Sequence, residues 1–135
     1  MKNYIFILFF SMVSILIFQS CSLQKKDGNM KVVSMEKVVN KNTPGYEICA
    51  SFTLEKLDIV KYFSLAKQVD GHEFHSEAVI LPCKYQGSIK VNGNLLQWEV
   101  NAGGAGYLYN EKKINERYLC KENCCKNLPS LCEKM

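Results

Sequence analysis

The chain opens on an unbroken apolar run. Residues 4–18 read Tyr-Ile-Phe-Ile-Leu-Phe-Phe-Ser-Met-Val-Ser-Ile-Leu-Ile-Phe, behind Lys2 and ahead of Gln19-Ser20-Cys21. Further on, the apolar positions become periodic. Residues 31–39 hold β-branched pairs and predict an edge strand. Asn40-Lys-Asn-Thr-Pro-Gly45 reads as a turn. Tyr46, Ile48, Ala50 and Phe52 alternate with Glu47, Cys49 and Ser51, which predicts a half-buried strand. Ile59, Phe63 and Ala66 then fall at i, i+4 and i+7, with Leu57 and Val60 widening the stripe and Tyr62 and Leu65 off it. That spacing predicts a helix over residues 54–67, capped by the Thr53 hydroxyl, with Glu55 near its positive end.

The sharpest local signal is Asn92-Gly93, because a type I′ turn needs positive φ at both central residues. A two-residue turn there sets Val91 opposite Asn94, Ile89 opposite Leu96, Gly87 opposite Trp98 and Tyr85 opposite Val100. One hairpin face then carries Tyr85, Ile89, Val91, Leu96, Trp98 and Val100. The other carries Gln86, Ser88, Lys90, Gln97 and Glu99, with Leu95 the exception. A one-residue slip would destroy this match, so the pattern fixes the register. Gly87 leaves room for the indole to cross the partner backbone. Further strands are predicted at Tyr107-Leu108-Tyr109 and over residues 117–120. The elements combine as α+β: an antiparallel meander packed against one main helix.

The apolar start predicts an address. It is shorter than the roughly 20 residues that cross a bilayer. With Lys2 before it and small Ser20 after it, it reads as an export signal. Phe18-Gln-Ser-Cys21 resembles the bacterial lipoprotein box, although Phe18 and Gln19 depart from its usual residues. The resemblance implies cleavage before Cys21, acylation of its thiol and new amino group, and anchoring by dual acylation. Ser22, rather than Asp, implies the outer membrane, facing the periplasm. The expected organisation is a signal peptide at residues 1–20, a lipidated tether at 21–33 and a single domain at 34–135.

Cleavage leaves 115 of the 135 residues and, with Lys2 gone, lowers the net charge from +4 to +3. The lysines are dispersed, so nothing resembles a phosphate-tracking stripe and no nucleic-acid partner is expected. Seven cysteines become six once lipid takes Cys21: Cys49, Cys83, Cys120, Cys124, Cys125 and Cys132. An even set in a small exported domain predicts disulfides. Six cysteines allow 15 pairings; only a Cys124–Cys125 bond is disfavoured, on geometry. Their irregular spacing, with no histidine close by, does not match a zinc site, so no metal is expected.

The remaining chemistry is sparse. The Gly103-Gly104-Ala-Gly106 cluster precedes Tyr107-Leu-Tyr109 instead of a helix, so it does not fit a phosphate loop. It predicts a bend or a close backbone approach. Asp70-Gly-His72-Glu73-Phe-His75-Ser-Glu77 gathers imidazoles and carboxylates but lacks HExxH, and reads as a polar loop. No serine sits in a nucleophile elbow, and no cofactor is expected.

Several stretches together resemble a group of small bacterial envelope lipoproteins. They are Tyr62-Phe-Ser-Leu-Ala-Lys67, Pro82-Cys83, Gly87, Trp98-Glu-Val-Asn-Ala-Gly-Gly-Ala-Gly106 and Tyr118-Leu-Cys120 with its following cysteines. The similarity spans residues 53–132. It implies a shared fold and compartment, and supplies no site residues. The expected function is a non-catalytic binding module of inhibitor or immunity type, touching an envelope protein at a sheet edge built from Gly103, Gly104, Gly106, Tyr107 and Tyr109. The alternatives are an envelope hydrolase acting on glycan or peptide through Glu73, His75 and Glu77, and a structural spacer.

Overall fold

The computed structural model describes residues 28–111 and 115–132. Residues 1–20, expected as a signal peptide, and Cys21 lie outside them. Among the described residues the architecture is α+β: one seven-stranded sheet with three α-helices and two 3-10 turns. The strands are β1 (Met30–Val32), β2 (Glu36–Val39), β3 (Lys67–Val69), β4 (Cys83–Val91), β5 (Asn94–Asn101), β6 (Ala105–Tyr109) and β7 (Asn115–Leu119). The helices are α1 (Lys56–Leu65), α2 (Gly71–Glu77) and α3 (Glu122–Asn127). The sheet order is β1-β4-β5-β6-β7-β3, with β2 beside β1 on the outer flank of β4. All named pairs are antiparallel.

The β4–β5 hairpin has the predicted register: Val91 faces Asn94, Ile89 faces Leu96, Gly87 faces Trp98 and Tyr85 faces Val100. Asn92 takes φ 50° and Gly93 φ 83°, the left-handed pair that the turn requires. Ile89, Leu96, Trp98 and Val100 are buried. Against them pack Ile59, Tyr62 and Phe63 of α1. Phe63 meets Tyr118 edge-on at 5.3 Å between ring centroids, an arrangement that aromatic quadrupoles favour. Tyr62 reaches the sheet backbone. Its hydroxyl donates to the carbonyls of Gly104 and Tyr118, at 2.9 and 3.2 Å. Gly106 lies under that phenol, and a Cβ there would clash with it. Burial raises the Tyr62 pKa beyond the ordinary tyrosine range.

Several local expectations are corrected. The tether does not extend to residue 33, because Met30–Val32 already pairs with β4. Residues 31–39 form two strands, since residues 33–35 bulge and the amides of Val33 and Ser34 both donate to the Ser88 carbonyl. Gly87 makes room for the Ser34 backbone rather than for the indole. Residues 46–50 form a 3-10 turn, not a strand. The Cys49–Cys83 disulfide ties it to β4. Lys37 holds it too, its ammonium donating to the carbonyls of Cys49 and Phe52 at 2.5 Å each. The main helix starts at Lys56, with the Glu55 amide donating to Asp58 Oδ2 at 2.9 Å, so Thr53 is not its cap. It ends at Leu65, and Lys67 opens β3. Tyr62, off the predicted stripe, is fully buried, whereas Leu57 is exposed.

All six cysteines of the domain are paired: Cys49–Cys83, Cys120–Cys124 and Cys125–Cys132. The neighbours Cys124 and Cys125 take different partners, as their geometry demands. The first bond closes a 34-residue separation and the others close 4 and 7. In the chain-entropy account the first contributes the most stability.

Candidate functional site

The two faces of the sheet are dressed differently. α1 covers one. On the other, α2 covers only the corner made by β6, β7 and β3, where Phe74 packs on Ala105, Leu119, Val69 and Tyr107. The centre of that second face stays open. Side chains of Lys84, Gln86, Gln97, Glu99, Tyr107 and Tyr109 point there, because they alternate with the buried positions of β4, β5 and β6.

A cleft of about 420 Å³ runs along the open face. Its floor carries Lys84, Glu99 and Tyr107, and its walls include Val38, Ile80 and Leu81. Residues 80–82 form one wall, and Asn101 pins it to the sheet. The Asn101 side chain accepts from the Leu81 amide at 2.9 Å and donates to the Leu81 carbonyl at 2.8 Å, imitating a strand. A parallel bridge joins Val79 to Gly104, whose φ of 85° suits glycine alone. Ile80 therefore stands at the lip, 62% exposed. Lys84 and Glu99 form an ion pair at 2.8 Å. Tyr109 donates to the other Glu99 oxygen at 3.4 Å. Partial burial, and then the Glu99 charge, push the Tyr109 phenol above its usual pKa, so it stays a donor. The cleft thus offers a fixed polar pair beneath an exposed apolar lip.

The glycine–tyrosine segment needs a further correction. β6 is not an edge strand, because it pairs with β5 on one side and β7 on the other. Gly104 and Gly106 are buried, and Gly103 lies under the Val79 backbone. The expected close backbone approach is real, but protein atoms occupy it. Of the five residues, Gly103, Tyr107 and Tyr109 keep accessible surface, and the two tyrosines present theirs on the open face.

The histidine–carboxylate stretch is a helix, not a loop. Asp70 caps α2 by accepting from the Glu73 amide at 2.8 Å. His72 and His75 are exposed on it. Glu73 is held by Lys121 at 2.6 Å and Lys67 at 2.8 Å, and Lys121 also reaches Glu77 at 2.7 Å. The hydrogen bonds from Lys121 and then Lys67 lower the Glu73 pKa, so it stays an acceptor. A general acid would need the opposite shift. These carboxylates clamp α2 to the start of α3, and neither lines the cleft.

The cleft walls went unrecognised in the sequence, yet a signal for the open face was present. The hairpin's second face is polar at five positions, which marks a surface the core does not claim. Compared with known protein families, curated proteins and solved structures, the chain matches none.

Proposed function

We propose that this chain is a lipid-anchored envelope protein that binds a protein partner without catalysis, using the open face of its sheet. The observation that carries the reading is the contrast within that face. A shaped cleft with an apolar lip and a fixed Lys84–Glu99 pair stands ready, while the acid–base candidates Glu73 and Glu77 are tied up by lysines elsewhere. A protein loop fits such a surface, with an apolar side chain against Ile80 and Val38 and main-chain groups on the polar floor. Inhibitor or immunity roles need only this, since blocking a hydrolase or toxin takes complementarity and no chemistry. Three disulfides in a domain of this size accord with the oxidising periplasm.

The test has two arms. Intact mass of the protein extracted from native membranes reads the anchor: an acylated chain beginning at Cys21 is expected, and Cys21→Ser should leave the membrane fraction. Pull-down from envelope extracts with wild type and Ile80→Asp reads the surface. A partner retained by the first and lost by the second is expected. An unacylated chain beginning at Met1 overturns the address, and a partner held equally by both proteins overturns the surface.

A further inference from the structure

The binding role leaves the C-terminal cysteines unused. Cys120 follows β7, Cys124 and Cys125 lie in α3, and Cys132 follows the 3-10 turn Pro129–Leu131. Their two disulfides adjoin in space. The sulfurs of Cys120, Cys125 and Cys132 all lie within 4.8 Å of one another. The Sγ atoms of Cys125 and Cys132 also sit 3.4 and 3.8 Å from the Cys120 carbonyl oxygen. One sulfur of the first bond thus faces both sulfurs of the second. Access differs as well: Cys124 is fully buried, whereas Cys120, Cys125 and Cys132 are partly buried, with Cys132 the most open of the three clustered sulfurs. Exchange proceeds by thiolate attack on a reachable disulfide sulfur, through a mixed disulfide.

We propose that these two disulfides form one four-sulfur exchange unit that oxidises an exported dithiol. A substrate thiolate attacks Cys132 Sγ. The substrate–Cys132 bond forms, the Cys125–Cys132 bond breaks, and the Cys125 sulfur leaves with the electron pair. The Cys125 thiolate then attacks Cys120 Sγ, making Cys120–Cys125 and breaking Cys120–Cys124. Cys124 leaves with the electron pair and takes up the proton that the substrate thiol released. The second substrate thiol attacks its own mixed disulfide and frees Cys132, which gains that thiol's proton. The dithiol has lost two electrons and two protons, and Cys124 and Cys132 hold them as thiols. Cys124 is the most deeply buried of the four cysteines. The inward exchange therefore hides the most reactive intermediate, the Cys125 thiolate.

The experiment treats the purified full chain with one equivalent of dithiothreitol without oxygen, quenches it with acid, alkylates the free thiols and maps them by tandem mass spectrometry. The expected result is label on Cys124 and Cys132, several-fold above that on Cys125, with a Cys120–Cys125 link. Label confined to Cys125 and Cys132, or to Cys120 and Cys124, overturns the proposal, because the bonds would then open independently. Cys132→Ser supplies a second reading without reductant. Its odd thiol should appear on Cys124 as well as Cys125, and label on Cys125 alone contradicts the exchange.

Discussion

The two faces of one sheet make the informative comparison. The covered face is closed by fit: Trp98, Ile89 and Val100 lie under α1, and the Tyr62 hydroxyl is fastened to the backbone beneath it. The open face holds the same strands' alternate residues, joined by a few polar pairs around a cleft. Strand alternation makes the two faces independent in composition, because a substitution on one leaves the other's packing intact. One face can therefore specify the fold while the other remains available for recognition.

The strongest way to break the covered face is Trp98→Ala. The indole is fully buried, and removing such a ring costs about 3–5 kcal/mol. Its N–H lacks a partner among the described residues, which offsets part of that loss, so the lower half of the range is expected from urea unfolding. Replacing Cys49 and Cys83 together by Ala should cost about 2–5 kcal/mol in the same assay, and should free the 3-10 turn at Tyr46–Ala50. Tyr62→Phe removes one buried donor and should cost about 1–2 kcal/mol.

The pH dependence sharpens the contrast further. Burial raises the Tyr62 and Tyr118 pKa values in the folded state. Their stabilisation is complete below the unfolded tyrosine pKa of about 10 and is lost as pH climbs above it. Alkaline titration should therefore unfold wild type at lower pH than Tyr62→Phe, after correction for the variant's neutral-pH stability. Glu73 behaves oppositely. Its folded pKa is lowered by Lys121 and Lys67, so its contribution is present above the unfolded carboxylate pKa and fades as pH falls below it. Glu73→Gln should flatten the acid side of the stability profile by a small amount, since surface pairs are screened by solvent. The smallest stability effect belongs to the open face. Ile80→Asp should change stability by no more than about 0.5 kcal/mol while removing partner binding.

Legibility in the sequence followed the range of the interactions. The hairpin register was readable because Asn92-Gly93 and the alternation around it are local. The oxidised cysteines were readable by parity, and their pairing was not, because it depends on which backbones meet. Residues 46–50 were misread for a similar reason. Their alternation resembles a strand, but Lys37 and Cys83, distant in the chain, hold them as a 3-10 turn. α2 was missed although Asp70 with Glu73 three residues on is a start signal. Its apolar side is essentially Phe74, too little for a periodic pattern. The cleft was invisible because residues 80–82 reach it through distant partners: Asn101, the Asn40 amide and the neighbouring Val79–Gly104 bridge.

The account's central claim is that the open face binds the protein partner. Site-specific photo-crosslinking in intact envelopes tests it most directly, with the probe placed either at Ile80 on the lip or at Leu57, equally exposed on the α1 side. A discrete protein adduct from position 80 and none from position 57 is the predicted result. Adducts from position 57 alone, or from neither position, would contradict it.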